Sequence, residues 1–485
     1  LTRLSEITGR AFEVDPEITG VTADSRRVRP GFLFAALPGS RADGRSFIPT
    51  ALEAGAAAVL APDDVADLPV PVVHASDLRR AYGLAAARFW GRQPPVCVAI
   101  TGTNGKTSIA TFCRQMFATL GRRAASMGTL GVVVSAPGED DVVLTPPGLT
   151  TPDAADVAEL MATLVDMGVT HLVLEASSHG IDQRRLDGVR LTAAGFTNFT
   201  QDHLDYHGTM GAYRAAKLRL FDTLLPTGST AVLNADSDAF PAFAAAASDH
   251  GHSLITTGAA GQGITLVDRQ LTPEGQTLTV RCDGADHTIR LPLAGAFQAD
   301  NALVAAGLCI AAGEAPAAVF AALEQLQGAP GRMQRVGTGP RGGEVYVDYA
   351  HTPDGLETLL SALRPHVSGK LIAIFGAGGD RDAGKRPIMG EIGARLADVA
   401  IVTDDNPRSE DPATIRAAIL AAAPGAREIG DRRAAIAAGV ALLEAGDVLA
   451  IAGKGHEQGQ IIAGVVHPFD DVAEAERALK AGGAT

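Results

Sequence analysis

Val96-Cys-Val-Ala-Ile100 is an uninterrupted apolar run that leads straight into Thr101-Gly-Thr-Asn-Gly-Lys-Thr-Ser108. No other stretch restricts the fold as much. A short run of this kind reads as a strand buried on both faces, as in a parallel sheet. The turn after it carries two glycines, and a helical pattern follows from about Ser108. In such a strand–loop–helix unit, backbone amides and the helix N-terminus cradle phosphate oxygens. Lys106 is placed to neutralise β- and γ-phosphates, and Thr107 to hold Mg²⁺. The common phosphate loop reads G-x-x-x-x-G-K-[ST]. Here Gly102 stands only three residues before Gly105, so the loop is shorter.

The buried-strand pattern recurs at His171-Leu-Val-Leu-Glu175 and near Ala231-Val-Leu-Asn234. Strands alternating with helices predict a parallel α/β sheet. Upstream, short apolar runs separated by turns predict a small α/β domain ending at about Arg92. Gln93-Pro94-Pro95 then breaks the chain, because adjacent prolines cannot continue a helix. A second boundary falls near Gly328-Ala-Pro-Gly331. Beyond it, three apolar strands end in polar or glycine-rich loops: Gly376 to Asp380, Asp404 to Arg408, and Gly453 to Glu457. Ligands of open α/β sheets bind at the carboxyl ends of strands, so these loops are candidates for one shared site. The fold class expected is α/β in three domains. A small N-terminal domain (1–92) precedes a central phosphate-loop parallel sheet (93–331) and a Rossmann-like C-terminal domain (332–485).

Charge narrows the partners. Lys plus Arg number 41 against 55 Asp plus Glu, a net charge of −14. With no basic run to offset it, that balance argues against nucleic acid and anionic membrane surfaces. Four cysteines without a C-x-x-C pair fit a reducing compartment and small buried hydrophobes rather than zinc. No apolar run reaches the roughly 18 residues of a membrane span. The opening residues lack a basic-then-apolar signal. A cytoplasmic protein without membrane insertion is expected.

The phosphate loop resembles the T-G-T-N-G-K-T-S of the Mur ligase superfamily. The resemblance runs nearly the full length. Asp202-His-Leu-Asp-Tyr-His207 resembles the family's D-H-x-D-Y-H, Asp348-Tyr-Ala-His351 its D-Y-A-H, and Asp405-Asn-Pro-Arg408 the D-N-P-R of its diaminopimelate-adding members. The resemblance implies an ATP- and Mg²⁺-dependent ligase that adds meso-diaminopimelate to a UDP-N-acetylmuramoyl-dipeptide through an acyl phosphate, acting as a monomer. It implies ATP-binding roles for Gly102, Thr103, Asn104, Gly105, Lys106, Thr107, Ser108, Asn301, Arg332 and Asp348. Lys106, Glu175, His207 and Lys217 would be catalytic, and Thr107, Glu175, His207 and carbamylated Lys217 would hold metal. Ser25, Thr150, Thr151, Ser177, Gln183, Arg185 and Lys217 would meet the UDP substrate. Arg381, Asp405, Asn406, Arg408, Gly453 and Glu457 would meet diaminopimelate. Two positions depart from the family: Gln298 stands for an asparagine and Gln334 for a glutamate. Arg332 is therefore carried over and Gln334 is not.

Other readings exist. The same ligase chemistry could use L-lysine, or a folylpolyglutamate-like acceptor. A nucleotide switch needs only the phosphate loop and leaves the other motifs idle. A dinucleotide dehydrogenase is disfavoured because Gly376-Ala-Gly-Gly-Asp-Arg381 lacks the third glycine of G-x-G-x-x-G.

Overall fold

The computed structural model describes residues 2–39, 43–66, 68–272 and 275–482. The chain forms two compact units: Leu1–Thr265 with Leu303–Ala322, and Leu266–Ala302 with Leu323–Thr485.

The first unit holds two main sheets beside the short antiparallel pair Thr2–Arg3 with Glu17–Ile18. Gly20–Thr22, Phe32–Ala35, Ala58–Ala61 and Val72–His74 pair in that order, all parallel. Helix Leu78–Trp90 covers this small sheet, and Leu33, Leu60, Val73, Tyr82 and Ala86 fill the space between. The larger sheet has Val96–Thr101 at its centre. His171–Glu175 pairs on one side and Ala193–Phe196 on the other, both parallel. Ala124–Gly128 extends the first side, and Thr230–Asn234 then Ser253–Gly258 the second. Every residue of His171–Glu175 is buried, as the continuous apolar pattern requires. An antiparallel hairpin, Gly131–Ser135 with Val142–Thr145, closes one edge.

The phosphate-loop helix runs Lys106–Thr119. It therefore starts two residues before the sequence pattern suggests, because the loop polar residues Lys106 and Thr107 already lie in its first turn. The helix around Lys217 spans Met210–Arg219 and passes into a π-helical turn, Leu220–Leu224. Such turns widen a helix locally and recur at functional sites.

The second unit contains a six-stranded sheet in the order Gln334–Thr338, Glu344–Asp348, Val448–Ala452, Leu371–Phe375, Val399–Val402, Arg427–Glu428. Only the first pair is antiparallel. Insertion of the last long strand, Val448–Ala452, beside Glu344–Asp348 brings the loops after Asp348, Phe375, Val402 and Ala452 to one end of the sheet. Among the described residues, no helix is long and apolar enough to cross a membrane. All four cysteines are buried and free.

Candidate active site

The loop after Val96–Thr101 is locked by its neighbours. Gly102 has φ +151°, and a Cβ there would lie 1.9 Å from Thr197 Oγ1, so only glycine fits. The Thr103 amide donates to the Asn198 carbonyl at 2.9 Å, and the Asn104 amide to Asn198 Oδ1 at 2.9 Å. Gly105, with φ +88°, heads the helix without a side-chain cap. First-turn amides have no acceptor within a helix. Here they belong to Lys106, Thr107 and Ser108, which suits an anion. Lys106 Nζ folds back onto the carbonyls of Gly102 and Thr103, at 2.9 and 2.8 Å.

Glu175 ends the adjacent strand and is buried. Its Oε2 accepts from Thr107 Oγ1 at 2.9 Å, and its Oε1 from the Thr129 amide at 2.9 Å. A carboxylate touching the hydroxyl that follows the loop lysine is a pair of hard oxygen donors, which fits Mg²⁺. Among the described residues, no three His, Cys, Asp or Glu side chains form a metal-holding group.

Lys217 is buried to 1% exposure. It does not snorkel, although a lone lysine on a helix usually does. Its Nζ donates to the Gly102 carbonyl at 2.6 Å and lies 4.6 Å from the Tyr213 ring centroid. Burial, and next the neighbouring charge of Lys106, hold its pKa well below the usual lysine value. His207 ends the short helix Leu204–His207 and shares a 3.0 Å hydrogen bond with Ser178 Oγ. Burial also lowers its pKa. His203 sits in left-handed backbone, φ +51°, at the start of that helix.

Five of the residues expected to meet the UDP substrate, Thr150, Thr151, Ser177, Gln183 and Arg185, form one hydrogen-bonded cluster. Thr151 Oγ1 donates to the Glu175 carbonyl at 2.8 Å and is 2.9 Å from Ser177 Oγ. Arg185 donates to the Thr151 carbonyl at 2.6 Å and to Gln183 Oε1 at 2.7 Å. Thr150 Oγ1 is 3.0 Å from Thr129 Oγ1. Ser25 lies apart, on the turn Ser25–Arg27 of the small sheet. Its neighbour Arg27 pairs with Asp156 at 2.7 Å. Sequence reading missed Thr129, which ties Glu175 to Thr150. The strand before it, Ala124-Ala-Ser-Met-Gly128, has no apolar run to announce it.

In the second unit, Asp348 Oδ2 accepts from the Met333 amide at 2.7 Å and Oδ1 from the Ala350 amide at 2.8 Å. Burial pushes its carboxyl upward, against the charge of Arg332. The Arg332 guanidinium lies 4.7 Å over the Tyr349 ring. Asn301 donates to Gln298 Oε1 at 3.2 Å, while Gln298 Nε2 is buried without a hydrogen-bond partner. Gln334 Oε1 accepts from the Gly331 amide and so shapes the turn. The Gly453 amide donates to the Asp348 carbonyl at 3.1 Å. This contact brings the nucleotide and amino-acid candidates of this unit together. Asn406 donates to Glu457 Oε2 at 2.9 Å. Arg408, with φ +54°, donates to the Gly379 carbonyl at 2.7 Å. Arg381 is exposed on the same strand-end loop.

The chain matches the Mur ligase family catalytic domain over residues 17–89, the Mur ligase middle domain over 100–309, and the Mur ligase glutamate ligase domain over 331–455. It is 71% identical over 479 residues to the UDP-N-acetylmuramoyl-L-alanyl-D-glutamate–2,6-diaminopimelate ligase of Caulobacter vibrioides, covering 99% of both chains. The chain belongs to the Mur ligase family. This Mur ligase is also 53% identical over 468 residues to the ligase of the same description from Mesorhizobium japonicum, covering 96% of each. A solved structure of a UDP-N-acetylmuramoyl-L-alanyl-D-glutamate–2,6-diaminopimelate ligase superposes with a TM-score of 0.76 at 34% identity, covering 99% of both chains. The Mur ligase fold is α/β in three domains, as expected, and the enzyme forms an amide bond using ATP.

Proposed function

We propose that this Mur ligase adds meso-diaminopimelate to UDP-N-acetylmuramoyl-L-alanyl-D-glutamate, as its relatives' descriptions state, in peptidoglycan precursor synthesis. The observation that carries this reading is the charge pattern of the second unit's strand-end loops. Asp405 and Glu457 offer anions, and Arg408 and Arg381 offer guanidinium groups. Diaminopimelate carries an ammonium and a carboxylate at each end, so it matches both signs. Lysine lacks the far carboxylate and would leave an arginine unmatched.

The substrate carboxylate attacks the γ-phosphorus of ATP, the bond to ADP breaks, and an acyl phosphate forms. The amine then attacks the acyl carbon, loses a proton, and phosphate leaves. No covalent enzyme intermediate is required, so the protein's task is alignment and charge neutralisation. Loop residues 102–108 hold the phosphates. Lys106 swings from the Gly102 and Thr103 carbonyls to the transferring phosphoryl group. Thr150, Thr151, Ser177, Gln183 and Arg185, with Ser25, orient the UDP substrate. Asn301, Arg332 and Asp348 serve the nucleotide. Mg²⁺, when bound, supplies further charge neutralisation, and Thr107, Glu175, His207 and carbamylated Lys217 would hold it. Burial of Lys217 favours the uncharged amine, the nucleophile that CO₂ addition needs: the new N–C bond forms as the nitrogen loses a proton.

The reading includes a monomeric cytoplasmic enzyme divided at 1–92, 93–331 and 332–485. Its test is substrate-dependent ADP release. ADP should form only when ATP, the UDP-muramoyl-dipeptide and diaminopimelate are all present. Equal ADP release with a folate acceptor and glutamate would contradict it.

A further inference from the structure

A lysine with no solvent exposure lies beneath the amino-acid loop. Lys454 Nζ donates to Asn406 Oδ1 at 2.8 Å and to the Gly459 carbonyl at 2.7 Å. It is 3.5 Å from Asp405 Oδ1 and 3.7 Å from Glu457 Oε2. Three residues assigned above to the incoming amino acid therefore share one buried cation.

The arrangement fixes more than charge. Asparagine can present either its oxygen or its nitrogen. The Lys454 ammonium and the Ile461 amide, at 3.0 Å, both claim Asn406 Oδ1. Asn406 Nδ2 is thereby turned to Glu457. Asp405 and Glu457 carry like charges, and the buried cation lying near both offsets their repulsion. Asp405 Oδ1 is buried, makes no hydrogen bond, and has the Lys454 ammonium 3.5 Å away as its ion-pair partner. The hairpin Gly459–Ile462 with Val465–Pro468 braces the same loop from the other side. Gln460 Nε2 donates to the Asp405 carbonyl at 2.8 Å, and the Arg408 amide to the Ile461 carbonyl at 2.9 Å.

We propose that Lys454 is a positioning residue for the incoming diamino acid, setting the placement of Asp405, Asn406 and Glu457 and hence both affinity and the choice of diaminopimelate over lysine. It acts through those side chains and does not touch the reacting atoms. The inference rests on the assignment of this loop to the amino acid.

The test uses the full chain carrying Lys454→Met, with Lys454→Gln measured by the same criteria if the first variant does not fold. The Michaelis constant for diaminopimelate should rise about tenfold or more. Those for ATP and the UDP-muramoyl-dipeptide should stay within about twofold, and the preference for diaminopimelate over lysine should narrow. Gln460→Leu should shift the same constant in the same direction by less. Three Michaelis constants moving together, or a fall in kcat and Tm alone, would show a merely structural lysine and overturn the proposal. An unshifted diaminopimelate constant would also overturn it while the unmutated enzyme still uses diaminopimelate. Failure of the unmutated enzyme to use diaminopimelate would instead bring down the functional reading, and this inference with it.

Discussion

Lys106 Nζ and Lys217 Nζ donate to the same acceptor, the Gly102 carbonyl, at 2.9 and 2.6 Å. Two ammonium groups on one carbonyl would repel, and after burial the charge of Lys106 further lowers the Lys217 pKa. The phosphate loop thus links the lysine assigned to the nucleotide with the one assigned to carbamylation. Departure of Lys106 to a phosphate would relieve that crowding.

Replacing Lys217 separates function from stability. Its folded pKa lies below the unfolded value, so the unfolded chain binds the proton more readily. The resulting penalty on folding grows as pH falls below about 10.4, by at most about 1.4 kcal/mol per pH unit, until the folded amine itself protonates. Lys217→Met should lose synthesis yet melt no lower than the unmutated protein. Its Tm advantage should be larger near pH 7 than near pH 9. Calorimetry at the two pH values in CO₂-depleted buffer, where Lys217 stays an unmodified amine, measures this. With ¹³C-bicarbonate, the unmutated protein should show a carbamate carbon signal that Lys217→Met lacks.

Gly128→Ala tests the Glu175 pocket. A Cβ at Gly128 would lie 2.0 Å from Glu175 Oε1. The carboxylate must move, breaking its bonds to Thr107 and Thr129. Overpacking of this kind costs about 1–3 kcal/mol. Displacement of the charge should lower kcat about 10²-fold or more, comparable to losing one preorganised electrostatic partner. Steady-state kinetics on folded variant protein decides it, and the Michaelis constant for diaminopimelate should be nearly unmoved.

Tyr82→Phe tests how the small sheet supports the substrate cluster. Tyr82 is buried, and its hydroxyl donates to Asp153 Oδ1 at 2.5 Å. Asp153 in turn caps helix Ala154–Asp166, just after Thr150 and Thr151. The variant should lose about 1 kcal/mol of stability. Its Michaelis constant for the UDP substrate should rise a few-fold, with that for diaminopimelate unchanged.

Arg408→Ala tests amino-acid selection. A desolvated charge pair lost on one side costs about 2–5 kcal/mol, roughly thirty-fold or more in affinity. The Michaelis constant for diaminopimelate should rise accordingly and that for ATP should not. Competition assays with lysine should show the gap between the two amino acids closing.

Much of this architecture is legible in the chain. Continuous apolar runs such as Val96–Ile100 and Leu371–Phe375 announce buried parallel strands, and glycine-rich loops mark their carboxyl ends. The Asp405-Asn-Pro-Arg408 and Gly453–Glu457 loops were visible as candidates for the same reason. Less legible were residues whose role depends on tertiary burial. Lys454 reads as an ordinary lysine and Lys217 stands out only through the family resemblance, because nothing local distinguishes an ammonium in solvent from one that is buried. Thr129 follows a strand of small residues without an apolar signature. The pairing of Val448–Ala452 between Glu344–Asp348 and Leu371–Phe375 is a long-range choice that no local pattern encodes.

The most direct test of the central claim is mass spectrometry of the product made from ATP, UDP-N-acetylmuramoyl-L-alanyl-D-glutamate and an equimolar mixture of meso-diaminopimelate and L-lysine. The account predicts one dominant UDP-linked product, heavier than the acceptor by diaminopimelate less water, with one ADP formed per product. A lysine adduct in equal or greater amount, or ADP formed with no UDP-linked product, would contradict it.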